Sequence, residues 1–344
     1  MVSFECDYNN GACPEILKSL METNGVMLPG YGSDAFTERA KEKIKAACGM
    51  PDAEVELLTG GTQTNAIVIA TLLREHEGVV SAATGHVSAH EAGAVEYTGH
   101  KILTLPGVNG KLPADTLRGY LNSFYRDDSR EHMVWPGMVY ISYPTEYGTL
   151  YSKAELQALA DVCREYRIPL YLDGARLGYG LMSGDADITL PELAEICDVF
   201  YIGGTKVGAL CGEAIVFSRI RKPAHFLNAV KKRGALLAKG RLLGVQFDAL
   251  FTDNLYFRLG KHGIDTAERL KTILKKRGIP FFLETPTNQQ FVLLEDKQLE
   301  HLNKFVSSCY WEKPDPDHTV VRLATSWATK EEDLHALEKA LYLI

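Results

Sequence analysis

The stretch Ile168-Pro169-Leu170-Tyr171-Leu172-Asp173-Gly174-Ala175-Arg176 decides the fold. An uncharged run that ends on a carboxylate and a glycine reads as a strand buried on both faces, its carboxyl end opening onto a loop. A second such run, 199–202, ends on Gly203-Gly204-Thr205-Lys206 and stands one crossover helix further along the chain. Two buried strands that deliver reactive side chains at the same end are the pattern of an open, largely parallel sheet, where ligands collect at the carboxyl ends of the strands.

Outward from this pair the pattern repeats. Strands are predicted over 55–58, 79–82, 101–105, 138–143 and 213–217, and helices over 36–48, 62–76 and 153–166, the last opened by a Ser152/Glu155 capping box. Helix 36–48 sets Ala40, Ile44 and Ala47 on one face and stops at Gly49, and helix 62–76 carries Ala66, Ile67, Ala70 and Leu73. Past residue 218 the pattern changes. A long helical stretch over 224–258 and a helix over 266–276 precede strands over 280–284, 290–295 and 319–324 and a last helix, 330–341, with Thr329 and Glu332 as its capping box. The chain so divides into an N-terminal arm with a large domain, 1–236, and a small α+β C-terminal domain, 237–344.

The 344 residues are 46% apolar and 24% charged, with a net charge of −7 and no long run of either sign. That composition argues against nucleic acid or an anionic membrane as the main partner. No apolar run reaches the length of a bilayer span, and residues 1–5 have neither the basic start nor the apolar core of a signal peptide. The seven cysteines are odd in number and include no C-x-x-C pair, which argues for free thiols in a reducing, cytoplasmic setting rather than a disulfide frame or a zinc site.

Four strand-end loops carry the chemistry, and each has a plain structural alternative. Gly60-Gly61-Thr62-Gln63-Thr64 joins a strand to a helix; it is either a phosphate-binding turn with free amides and hydroxyls or a tight turn with Thr62 or Thr64 as N-cap. Asp173 is either a carboxylate held against a protonated pyridine nitrogen or the partner of Arg176 in a structural ion pair. Lys206 leaves an apolar strand, so partial desolvation lowers its pKa and frees its amine for imine formation, unless it is an ordinary surface lysine in a glycine turn. His86, with His90 and Glu91 beside it, stacks on a flat ring or shuttles protons, or is a satisfied structural histidine.

At these loops the sequence resembles the threonine aldolase/β-eliminating lyase family of pyridoxal 5′-phosphate (PLP) enzymes. Six segments follow in family order: Gly30-Tyr31-Gly32-Ser33-Asp34, Gly60-Gly61-Thr62-Gln63-Thr64-Asn65, the stretch 86–91, Asp173-Gly174-Ala175-Arg176, Gly203-Gly204-Thr205-Lys206 and Arg322-Leu323-Ala324-Thr325-Ser326-Trp327, after an N-terminal arm at 7–17. The resemblance implies the aspartate aminotransferase type of fold, with a mostly parallel seven-stranded large domain, and a homodimer or homotetramer with shared sites. It implies that Lys206 forms a Schiff base with PLP, Asp173 pairs with the ring nitrogen, Gly61 and Thr62 hold the phosphate, Thr205 binds the cofactor, and His86 stacks on the ring. Arg176 and Arg322 would hold the substrate carboxylate. Tyr31, Arg233 and Lys239 would reach the cofactor near a subunit boundary. Three positions depart from the common pattern: Cys6 stands where many relatives carry a serine at the substrate carboxylate, Glu146 where one branch has a histidine, and Val207 where asparagine is frequent.

The expected reaction is aldol cleavage of a β-hydroxy-α-amino acid, L-threonine or L-allo-threonine to glycine and acetaldehyde. His86 is the first choice of base, with Glu91, His90 and Glu146 as alternatives. The rivals are β-elimination on an amino acid with a β leaving group, a PLP-binding protein with little catalysis, and, most distant, a metal-dependent hydrolase.

Overall fold

The period-two alternation within the apolar runs sorts their side chains onto two faces, and both faces find cover. In the computed structural model, which describes residues 1–343, seven strands form one sheet in the order Glu54–Leu58, Glu213–Phe217, Val199–Gly203, Leu170–Asp173, Trp135–Ser142, Glu77–Ala82, Ile102–Leu105. Glu213–Phe217 runs antiparallel to both of its neighbours, and all the other strand pairs are parallel. Val139, Ile141, Leu170, Leu172, Phe200 and Ile202 face one core with Ile44 of helix Ala35–Ala47 and Leu159 of helix Lys153–Tyr166. Tyr140, Tyr171, Val199 and Tyr201 face the other, beneath Ile67 and Val68 of helix Gly61–Leu72.

A second sheet is antiparallel, in the order Cys309–Glu312, His318–Ala324, Gln289–Glu295, Phe281–Leu283. Its core joins Val292, Leu294, Val321 and Leu323 to Leu270 of helix Leu255–Lys276 and Leu334 of helix Glu331–Leu341, and Phe4 is buried in the same cluster. The chain therefore begins in this smaller unit, where Val2–Ser3 pairs parallel with Val306–Ser307, before Asp7 and Tyr8 pass between the two sheets.

All the predicted strands form, and the Ser152/Glu155 box is closed in both directions. Several helices differ. The predicted stretch 224–258 is broken into Phe226–Lys232, Arg241–Leu250 and the start of Leu255–Lys276. Gly234 (φ +68°), Asp253 (+49°) and Asn254 (+55°) take left-handed conformations that no helix continues through. Helix 62–76 stops at Leu72 because Leu73 turns extended and the next strand starts at Glu77. The last helix is capped one residue later than predicted, Lys330 N–H bonding Asp333, while Thr329 Oγ1 takes the Ser326 N–H instead. Between Asp173 and Lys206 lie two short helices, Leu177–Met182 and Leu190–Ile196, rather than one.

The two glycines that close the reactive loops are required by crowding. A Cβ on Gly174 would stand 2.0 Å from the Tyr201 carbonyl oxygen, and one on Gly203 would stand 2.4 Å from the Ala175 carbonyl oxygen. Both obstacles are backbone at the ends of adjacent strands, so neither can rotate aside. Gly174→Ala is expected to destabilise the fold by about 2 kcal/mol or more, measured as a lowered urea midpoint at unchanged m-value.

Candidate active site

Leu170–Asp173 is the middle strand of the seven, so Asp173 emerges with a strand end on either side. Its Oδ2 accepts hydrogen bonds from Tyr140 OH (2.7 Å) and Asn65 Nδ2 (2.9 Å), and its Oδ1 from Tyr201 OH (2.5 Å) and the Ala175 N–H (3.0 Å). Tyr140 and Tyr201 belong to the flanking strands and point to the same face, so sheet register alone brings both hydroxyls to the carboxylate. Burial pushes the Asp173 pKa up, but His86 and these donors outweigh it and hold the group below its ordinary value. All four donors are neutral. The structural ion pair with Arg176 considered from sequence does not form.

Asn65, on helix Gly61–Leu72, ties the neighbouring groups together. Its Nδ2 also donates to Glu91 Oε1 (2.7 Å), and its Oδ1 accepts from Tyr171 OH (2.7 Å). Glu91 Oε1 in turn bonds His86 Nδ1 (2.8 Å). A carboxylate only accepts, so Nδ1 carries the proton and Nε2 is left free. Burial opposes protonation of His86, yet Glu91 and Asp173 raise its pKa overall. One ligand atom each of His86, Glu91 and Asp173 lies within 4.8 Å of the others. Asn65 Nδ2 bridges the two carboxylates, so hydrogen bonds already hold this cluster together. His90 sits 5.7 Å from His86 and 6.4 Å from Trp311, ring centre to ring centre. Glu146 is reached by the His86 N–H (2.9 Å) and Ser142 Oγ (2.5 Å), and burial raises its pKa.

Lys206 extends from the end of strand Val199–Gly203 with its Nζ 5.7 Å from the centre of the Tyr8 ring. Its carbonyl accepts from Tyr179 OH (2.6 Å), which anchors the loop and leaves the amine unengaged. Burial, then the charge of Arg176, lowers the Lys206 pKa. The amine is thereby brought toward the neutral, nucleophilic form. Thr205 Oγ1 accepts the Gly212 N–H (3.0 Å) and donates to Glu213 Oε1 (2.7 Å). Gly60 is extended and serves as cap without a side-chain bond, so neither Thr62 nor Thr64 caps the helix. Thr64 is buried, whereas Gly61 and Thr62 line the cavity. The first helical amide to find an internal partner is Thr64 N–H, so those of 61–63 point free at the helix start.

Arg176 is held by both nitrogens to Asp7, Nε to Oδ2 (2.7 Å) and Nη2 to Oδ1 (2.9 Å), and Asn288 Nδ2 adds a bond to the same carboxylate (2.9 Å). Among the described residues Arg322 meets no carboxylate: Nη1 bonds Gln289 Oε1 (3.0 Å), Nη2 bonds the Glu5 carbonyl (3.2 Å), and its buried Nε finds no partner. These groups border two adjoining chambers. An inner one of about 280 Å³ is lined by Gly60, Gly61, Thr62, Asp173, Thr205, Lys206 and Glu213 among others. An outer one of about 640 Å³ adds His90, Tyr147, Cys309, Trp311 and Arg322, and both share Tyr8, His86, Glu146, Arg176 and Lys206.

The remaining predicted site residues lie elsewhere. Glu91 stands behind His86, outside both chambers, and half-buried Cys6 lines neither. Tyr31 borders a separate cavity of about 410 Å³ under a Lys231 ammonium, Arg233 lines a different surface hollow, and Lys239 is exposed. Sequence reasoning passed over Asp7, Tyr8, Tyr140, Tyr201, Glu213 and Trp311. A tyrosine inside a strand buried on both faces was the available signal for two of them, because its hydroxyl must find a partner there.

Fold and site together define an α/β enzyme of the aspartate aminotransferase architecture. The chain belongs to the β-eliminating lyase family, which it matches over residues 20–297. The low specificity L-threonine aldolase of Pseudomonas sp. (strain NCIMB 10558) is 30% identical over 303 residues, 87% of this chain and 86% of that protein. The solved structure of Leishmania major threonine aldolase matches with a TM-score of 0.95 at 40% identity, covering 100% of this chain and 99% of that one. An aromatic aminotransferase from Pyrococcus horikoshii, 18% identical with a TM-score of 0.70 over 99% of this chain and 94% of its own, shares the fold. The family and fold expected from the six segments are borne out.

The Asp7–Arg176 pair makes a testable contribution to stability. Burial opposes ionisation of Asp7, but Arg176 holds its pKa at about 2. A carboxyl with a depressed pKa stabilises the fold above its unfolded pKa, and this contribution is lost as pH falls through the folded value. Asp7→Asn leaves Arg176 buried without an anion and is expected to cost about 3–5 kcal/mol at pH 7. In denaturant titrations, the gap between wild type and variant should narrow as pH falls from about 4 to about 2.

Proposed function

We propose that this chain cleaves a β-hydroxy-α-amino acid, L-threonine or L-allo-threonine, to glycine and acetaldehyde, with pyridoxal 5′-phosphate joined covalently to Lys206. The observation that carries this reading is a buried, ionised Asp173 with only neutral donors, in one chamber with the unengaged Lys206 amine. A carboxylate so placed has no cation among its hydrogen-bond donors, and a protonated ring nitrogen would supply one. The residues fit the rest of the group as well: the free amides at Gly61 and Thr62 suit its phosphate, and His86, which lines the same chamber, would suit its ring. When bound, the cofactor contributes an aldehyde that captures amines and a protonated ring that accepts the electrons of a broken bond.

The chain's own residues do the rest. Arg322 has no carboxylate partner among the described residues, whereas Arg176 is neutralised by Asp7, so Arg322 carries most of the attraction for the substrate carboxylate. Fixing that carboxylate sets the orientation of the bond to be broken. His86 Nε2 takes the β-hydroxyl proton, while Glu91 holds Nδ1–H and fixes the ring. Glu146, bound by Ser142 and the His86 amide, shapes the wall nearby. Tyr31, Arg233 and Lys239 are too far out to serve their own chamber and are assigned to a neighbouring subunit's site in a homodimer or homotetramer. Exposed Met21, Met27 and Leu227 offer apolar surface for such an assembly. The seven free cysteines suit a cytoplasmic setting.

Incubation with threonine should yield acetaldehyde and glycine; pyruvate and ammonia from serine or cysteine derivatives, without acetaldehyde from threonine, would instead establish β-elimination. Lys206→Ala should abolish the visible absorbance of the bound cofactor, and a spectrum unchanged by it would overturn the assignment. Arg322→Gln should raise KM for threonine at least tenfold, the loss of about 1.4 kcal/mol or more, while leaving that absorbance in place. His86→Asn should lower kcat by about 10²–10⁴. Because the neutral imidazole is the base and its pKa is raised, wild-type activity should climb with pH through that elevated value, and the variant should lack this limb.

A further inference from the structure

Glu213 is a buried acid that the reaction outlined above does not use. It opens strand Glu213–Phe217 directly across from Gly203, so its side chain emerges on the Asp173 face of the sheet, against the loop that carries Lys206. Oε1 is occupied by the Thr205 hydroxyl, while Oε2 is buried in the inner chamber with no partner among the described residues. A structural acceptor for Thr205 needs one oxygen only, and leaving a second buried polar atom unsatisfied is unfavourable.

Two carboxyls thus share a chamber with very different hydrogen-bond supply. Asp173 has four donors and keeps its charge; Glu213 has one. Burial, helped by the negative charge of Asp173, raises the Glu213 pKa to about 8, against the pull of Thr205 and Lys206. When neighbouring acids are pushed apart in this way, the poorly solvated one holds the proton.

We propose that Glu213, which shares the inner chamber with Lys206 without a direct hydrogen bond to it, is its proton partner through intervening water, holding the proton while Lys206 stands as the free amine and passing it to the nitrogen and oxygen that exchange bonds during cofactor capture and release. In the first step the pair settles with its one proton on the acid, as Lys206–NH₂ and Glu213–COOH. In the second, the amine nitrogen bonds to an aldehyde carbon, the C=O bond is replaced by C=N, and water leaves. The Glu213 proton ends on nitrogen and the carboxylate is restored. Nothing is oxidised or reduced, and no further reactant is needed. This rests on the cofactor assignment to Lys206 but not on which amino acid is cleaved.

The groups facing Glu213 are Lys206 and Thr205 from its loop, Asp173 from the middle strand, Tyr171 and Tyr201 from the sheet, Cys211 from the preceding turn and Tyr256 from the helix behind. The tyrosines and the thiol are all pushed upward, away from neutrality, while Glu213 is raised to about 8 and burial also raises Glu146 in the same chamber.

The test uses the full-length chain freed of cofactor and mixed with pyridoxal 5′-phosphate, following visible absorbance from pH 6 to 9.5. Wild-type capture should slow as pH rises through about 8, where Glu213 loses its proton. Glu213→Gln keeps the volume and the acceptor for Thr205 but holds no acidic proton. It should capture the cofactor at least tenfold more slowly at pH 7 and lack the decline above pH 8. Glu213→Asp, which retains an acid, should restore the decline. A folded Glu213→Gln with wild-type rate and profile would overturn the proposal, as would a wild-type profile that is flat from pH 7 to 9, a result independent of any variant's folding. No capture by wild type at all overturns the cofactor assignment together with this role. Normal capture without threonine cleavage counts against the proposed reaction and leaves Glu213 to be judged on its own rates.

Discussion

A carboxylate cannot stay charged inside a sheet unless its lone pairs are answered, and Asp173 is answered by four neutral donors drawn from four places in the chain. Tyr140 and Tyr201 come from the strands on either side, Asn65 from the helix laid over that face, and the Ala175 amide from the turn that follows. Each donor fixes an element. The register of three strands, the seating of helix Gly61–Leu72 and the tight passage of Gly174 beneath Tyr201 all have to be right for this one group to be satisfied. Buried polar networks of this kind specify a single arrangement more sharply than apolar packing does, because a partial solution leaves an unpaired group at low dielectric.

The cations around the site are sorted by the same accounting. Arg176 meets Asp7 in a two-nitrogen fork, which binds the N-terminal arm to the large sheet, and Asn288 extends the contact to the small unit. Arg322 is buried beside it with amide and carbonyl acceptors only, and desolvation together with Arg176 lowers its pKa. Lys206 sits between with no acceptor for its amine and the positive field of Arg176 nearby. One arginine is thus structural, one is free to bind an anion, and the lysine is brought toward its neutral form. None of this follows from residue type, since all three are basic side chains near one cavity.

That difference explains what the sequence discloses and what it withholds. Apolar runs ending at Asp173 and Lys206 were legible because a strand buried on both faces has no other place to put a charge, and the seven strands followed from the same rule. The breaks at Gly234 and at Asp253–Asn254 were hidden inside a continuous helical pattern, since periodicity does not register a left-handed residue. Arg176 was read against Asp173, three residues away, when its true partner lies 169 residues upstream. Asp7 and Glu213 look ordinary in sequence, and only the chain's return to one chamber gives either of them a task.

Four of the carboxyl groups at the site show how a shared composition yields different roles. Asp173 is saturated with donors and holds charge; Glu213 has one donor and holds a proton; Glu91 is turned to His86 and Asn65; Glu146 lies where the chambers meet, bound by Ser142 and the His86 amide. The first three are inner-chamber or supporting groups, and their arrangement suits any chemistry in which an amine is captured at Lys206. Discrimination between breaking Cα–Cβ and expelling a β substituent has to come from the outer chamber, where Glu146, His90, Tyr147 and Trp311 surround the space beyond Lys206. Under the proposed reading, a hydroxyl directed at His86 Nε2 would lose its proton as the carbon bond breaks, whereas a leaving group directed toward an acid would depart with its electrons. The choice between two lyase reactions on one scaffold thus reduces to which of these side chains faces the β carbon with a lone pair and which with a proton.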